Sequence, residues 1–121
     1  MATPDQSSRI GIALPEVLRG VGELSAVRRS ELLIGDVMLI RTRNSLYTIR
    51  LAAQGCYHAT GGWFDRKGLS PHPVAINGCT WGGTLIKVDI LAACGLCVEF
   101  SNRVVTSPVR SIAVLRAATF N

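Results

Sequence analysis

The sequence predicts an all-β domain, a small barrel or compact sandwich of about six or seven short strands, and three observations carry that expectation. One is alternation. From Thr84 to Ile90, the residues Thr84, Ile86, Val88 and Ile90 fall on one face, expected to be the inner one, and Leu85, Lys87, Asp89 and, next along, Leu91 on the other, where Lys87 and Asp89 look outward. Side chains on a strand change face at every residue, so this is a period-2 signal. A second is punctuation: Gly35-Asp36, Asn44-Ser45, Cys94-Gly95 and Ser101-Asn102 divide the chain into short apolar runs, at roughly the 8–12 residue spacing of small β folds. The third is a glycine-bracketed tryptophan, with Gly78, Gly82 and Gly83 around Trp81 just before the alternating run. Glycine permits positive φ and close backbone approach, so these residues read as a structural bend, either a bulge or a tight turn.

Residues 1–8 are polar and expected to be disordered, and residues 9–121 form a single β-rich domain. The N-terminal arm should contain a short helix over Pro15–Val21, with Pro15 in its first turn, Glu16 beside the positive end of the dipole and Gly20 and Gly22 closing it. Glu23–Leu33 reads as a second helix, or as an extended arm. Val37–Thr42 and Leu46–Leu51 read as a hairpin with Tyr47, Ile49 and Leu51 on one side. From Ala52 to Pro73 glycine and proline loosen the pattern. A short strand over Ala59–Phe64 and a turn at Asp65–Gly68 are expected inside a long, irregular, binding-type loop. Further strands are expected at Val74–Asn77, Thr84–Ile90, Leu96–Phe100, Val104–Thr106 and Val109–Leu115, with Pro108 marking an edge or bulge.

The general look resembles the SH3-like and Sm-like small barrels. That likeness concerns shape only and carries no functional residue over.

Composition points to self-association. The chain is 48% hydrophobic and only 17% charged, against about 25% charged in an average soluble domain. Such a chain is short of polar surface for a small monomer. The longest uncharged apolar run, Ile90–Val98, falls well below the roughly 20 residues of a spanning helix. Burial between subunits is therefore expected, and no membrane. The polar start Met1–Ser8 lacks a secretory pattern, which gives a cytoplasmic expectation and four reduced cysteines. The net charge is +5, from eleven arginines and two lysines set against eight acids. The arginines are spread along the chain and form no single run. Trp81 either fills the mouth of the barrel or lies on the surface as a contact platform, and packing is the preferred expectation.

Candidate chemistry is thin. Cys94-Gly95-Leu96-Cys97 is a Cys-x-x-Cys, and Cys56, His58 or Cys79 would have to complete a zinc set. No second Cys-x-x-Cys exists, the flanks are apolar, and buried cysteine commonly behaves as a small hydrophobe. Neither a metal nor a cofactor is expected. Cys56 and His58 would point the same way on a strand, which a Cys–His nucleophile requires. Gly78-x-x-x-Gly82-Gly83 is followed by neither Gly-Lys-Ser/Thr nor a helix, so it is no phosphate loop. Nucleic acid is the stronger lead. Trp63, Phe64, Arg66 and Lys67 share one stretch, and Arg41, Arg43 and Arg50 share one hairpin. Aromatics that stack bases beside arginines that hold phosphates suit single strands. The leading expectation is a non-enzymatic homo-oligomeric interaction module. The alternatives are a single-stranded nucleic-acid binder and a small enzyme or zinc site.

Overall fold

The computed structural model describes residues 24–81 and 85–117. The expected helix at Pro15–Val21 and the pair Gly82-Gly83 lie outside them. Among the described residues ten strands form three antiparallel sheets, with one short helix. The strands are β1 (Ala26–Arg28), β2 (Val37–Thr42), β3 (Leu46–Ala53), β4 (Cys56–Gly61), β5 (His72–Val74), β6 (Ile76–Trp81), β7 (Leu85–Lys87), β8 (Ile90–Ala93), β9 (Cys97–Phe100) and β10 (Val109–Leu115). The helix α1 is Gly62–Arg66, and a 3-10 turn covers Arg29–Glu31. The sheets have the orders β1-β8, β10-β2-β3-β4-β5 and β7-β6-β9.

Period-2 sequence builds the five-stranded sheet. Met38 and Ile40, Tyr47, Ile49 and Leu51, Tyr57 and Ala59, Val74, and Ile112 and Val114 all face inward and are buried. Val27, Ile76, Leu91, Val98 and Phe100 from the two smaller sheets close the same core. Phe64 of α1 reaches into its centre. It meets Phe100 edge-on at 5.1 Å between ring centroids, Tyr47 at 6.2 Å, and stacks on His72 at 5.9 Å.

Several expectations are corrected. Residues 24–33 form a strand and a 3-10 turn where a helix was the first reading. Their backbone is committed elsewhere: Leu24 N–H donates to Ile112 O and β1 pairs with β8. The Ala52–Pro73 stretch is ordered as β4, α1 and β5. Gly61 and Gly62 serve close approaches. Gly61 has φ +100°, and a side chain there would strike the Leu46 carbonyl. Val104–Thr106 is no strand. It makes only a bridge, Glu99 to Val105. The alternating run Thr84–Ile90 is not one strand. β7 ends at Lys87, the chain turns at Val88–Asp89, and β8 starts at Ile90 to pair with a different sheet.

Arg29 explains the break. Its guanidinium donates to Val88 O at 2.7 and 3.0 Å and to Ile76 O at 2.9 Å, and its N–H donates to Asp89 O at 2.8 Å. The turn is pulled back onto β6. Ile86 and Val88, expected inside, are 40% and 63% exposed.

Among the described residues no helix is long and apolar enough to cross a membrane.

Candidate functional site

Two surface features stand apart from the packed core. The first is a cleft of about 220 Å³ at the β2–β3 turn. Thr42 and Ser45 line it from the turn, Trp63 and Arg66 from α1, and the Val104–Ser107 segment from the opposite wall. The turn is held locally: Thr42 N–H donates to Ser45 O at 2.8 Å, and Ser45 N–H to Thr42 Oγ1 at 3.2 Å. Helix α1 is anchored by Phe64 in the core and by Trp63 N–H donating to Tyr47 Oη at 3.3 Å. Trp63 is half-buried and meets Phe64 edge-on at 5.3 Å. Arg66 and Lys67 are exposed at the helix end.

This geometry divides the residues singled out for nucleic acid. Trp63 and Arg66 face one cleft, and exposed Arg43 sits between two of its lining residues, Thr42 and Asn44. Arg41 is exposed on the outer face of β2 at the same end, opposite Leu46 and Ser111. Arg50 lies at the far end of that face, opposite Val37, with its Nη2 3.1 Å from His58 Nδ1. Phe64 is fully buried, so its ring is a core element and cannot take a base.

The second feature is apolar. Trp81, expected to pack, is 76% exposed, and Leu85 is 63% exposed beside it. With Cys79, Lys87 and Leu96 they border a groove of about 380 Å³ on the three-stranded sheet. Gly78 has φ +146° and sits at a register shift between β6 and β9. A side chain there would strike the Lys87 carbonyl, so glycine is what lets β7 lie against β6. Alternation put Leu85 on the outward face with Lys87 and Asp89, but it put Val88 on the inner one, because it assumes one continuous strand where the chain turns at Val88–Asp89.

Two of the thiols, Cys79 and Cys97, are chemically quiet. All four cysteines are free. Burial pushes the Cys79 thiol up to about 11, and burial also raises that of Cys97. Thiolate is the nucleophile and the metal ligand, so both are poor ones near neutral pH. Cys94 Sγ is exposed and lies 3.5 Å from Arg110 O. Cys56 and His58 do share the outer face of β4. Among the described residues no three His, Cys, Asp or Glu side chains gather as a metal site.

Comparison with known proteins finds no matching family model, no matching curated protein and no matching solved structure.

Proposed function

We propose that this chain is a small barrel-like β module, non-enzymatic and of SH3-like or Sm-like shape, that assembles with copies of itself through the β6–β7 edge. A single observation carries the reading. Trp81 and Leu85, cross-strand partners on one face of the β6–β7 hairpin, are 76% and 63% exposed, while Ile86 on the opposite face of β7 and Val88 in the turn after it are 40% and 63% exposed. Contiguous apolar surface of this kind marks a contact face. β7 is also the outer strand of its sheet, with all three residues exposed. An outer strand offers unpaired N–H and C=O groups to a second strand. A cytoplasmic setting suits the four free thiols.

The expected strength follows from magnitudes. Covering these partly exposed side chains contributes roughly 1–2 kcal/mol each, or about 8–16 kcal/mol for the four on both copies of a dimer. Association costs at least about 4 kcal/mol in lost freedom. The balance favours a micromolar assembly over a nanomolar one.

Sedimentation velocity across about 1–100 μM should show a concentration-dependent shift to a larger species. Trp81→Ser with Leu85→Ser should hold the protein as monomer while leaving its circular dichroism unchanged. A wild-type protein that stays monomeric throughout that range overturns the reading.

A further inference from the structure

The cleft at the β2–β3 turn is preformed, because each of its walls is fixed from behind. On one side Tyr47 and Phe64, both in the core, hold α1, and the Tyr47 ring occupies the space where a side chain on Gly62 would stand. On the other side Val104–Ser107 is tied to β9. Thr106 is buried, its N–H donates to Val98 O at 3.0 Å, and its Oγ1 accepts the Val98 N–H at 3.0 Å while donating to Ser107 O at 2.7 Å. The turn before this wall is closed by Phe100 N–H donating to Val104 O at 2.8 Å. It holds Arg103 at φ +71°, a left-handed conformation that a residue other than glycine keeps only where its surroundings fix it. Trp63 and Val104 both rest on the core cluster, so drawing the walls together would unseat them.

The groups that border the opening are unspent. Asn44 and Ser45 stand on the turn, Ser107 on the opposite wall and Arg66 on α1. Among the described residues, none of these four side chains has a hydrogen-bond or ion-pair partner. Asp65, next to Arg66 in the chain, gives its carboxylate to Ser70 Oγ and the Gly61 N–H instead. The described lining includes no acid. Trp63 and Arg66 are three residues apart on α1, which sets them on one side of the helix. The lining thus combines one guanidinium, one indole and several hydroxyl and amide groups. At about 220 Å³ it is smaller than the roughly 300–1,000 Å³ of pockets for drug-sized ligands, which suits a single small unit.

We propose that this cleft binds a nucleoside monophosphate, with its phosphate on Arg66 and its base against Trp63. A planar guanidinium matches phosphate oxygens two at a time. Indole stacking tolerates any base. The Asn44 amide offers both a donor and an acceptor to a base edge, and the serine hydroxyls do the same for the ribose. A neutral sugar would leave Arg66 idle, and a bare anion would leave Trp63 idle. A free nucleotide and the phosphorylated end of a strand present the same chemistry to the site. The cleft adjoins β9, the edge of its sheet opposite β7, so this inference and the self-association reading stand or fall separately.

The chain has two tryptophans, so Trp81→Phe leaves Trp63 as its single indole. Titrating that protein with adenosine 5′-monophosphate should quench its fluorescence saturably, with a Kd between about 10 μM and 1 mM. Calorimetry on wild type should return the same Kd. Adenosine, without the phosphate, should bind about tenfold more weakly. Arg66→Gln should weaken the monophosphate by about the same factor and leave adenosine binding unchanged. Lys87→Gln, on the distant edge, should change neither. A 5′-phosphorylated oligonucleotide competes if the site takes the end of a strand, and fails to compete if only the free nucleotide fits; both results retain the nucleoside phosphate as ligand. Three results would each overturn the inference: no saturable quench below about 10 mM, equal affinity of Arg66→Gln for the monophosphate, or inorganic phosphate competing as well as the nucleotide does.

Discussion

Asp36 is the most constrained acid among the described residues. Its side chain is 2% exposed, yet it accepts from Leu33 N–H at 2.9 Å, Ala117 N–H at 2.7 Å and Arg116 Nη1 at 2.8 Å. Burial by itself would raise its pKa; the amides of Ala117 and Leu33 and the Arg116 guanidinium outweigh it and hold the carboxyl below its ordinary value. The folded pKa is thus depressed. Its contribution is fully present above the unfolded value, near 4, and is lost as pH falls through the folded one. Asp36→Asn should cost about 2 kcal/mol at neutral pH. Denaturant melts at a series of pH values should show wild type losing stability below about pH 4 more steeply than this variant. Gly78 makes an equally local prediction. Its φ of +146° and the Lys87 carbonyl behind it leave no room for a branched side chain. Gly78→Val should cost at least about 2 kcal/mol, and an unchanged melting temperature would show that β7 can move away freely. The sequence singled out Gly78 as a bend residue, since glycines bracketing Trp81 permit positive φ and close backbone approach. It gave no such sign for Asp36, whose partners Arg116 and Ala117 lie some eighty positions away.

At the level of elements, Arg29 is the join between sheets. It follows β1 and holds the β7–β8 turn and the start of β6 through carbonyls of Val88 and Ile76. A long charged residue beside Arg28 reads as a solvated surface pair, and only the return of the chain at Val88–Asp89 gives it carbonyls to satisfy. Arg29→Met keeps the stem and removes the donors. It should cost about 1–2 kcal/mol and speed hydrogen exchange at Asp89–Leu91 while leaving the β2–β3 hairpin protected. Uniform loss of protection would show that the turn and the core open together. The hairpin itself, Val37–Thr42 with Leu46–Ala53, was legible because Val37–Ile40 is an unbroken apolar run, Leu46–Leu51 alternates and a polar turn joins them. The β4–α1–β5 segment was not. Its apolar anchors, Tyr57 and Phe64, sit among glycines and prolines that mark turns wherever they fall, and α1 is too short for helical periodicity to register.

For the molecule as a whole, three open sheets enclose one aromatic-centred core and leave two unlike surfaces. One is the apolar β6–β7 edge and the other the cleft lined by Trp63 and Arg66. If the edge associates, folding and assembly are linked by mass action. The melting temperature of wild type should then rise with protein concentration, while that of Trp81→Ser with Leu85→Ser should not. Differential scanning calorimetry over a hundredfold dilution checks it, and parallel behaviour of the two proteins would remove assembly as a source of stability.

Read alone, the chain specified its class, its strongest hairpin and its shortage of polar surface, because alternation, turn chemistry and composition are local or additive properties. Which side chains remain uncovered was decided only in three dimensions. Burying Phe64, exposing Trp81 and gathering scattered arginines on one face all depend on pairings between distant segments, and those pairings come from packing against the core rather than from any pattern along the backbone.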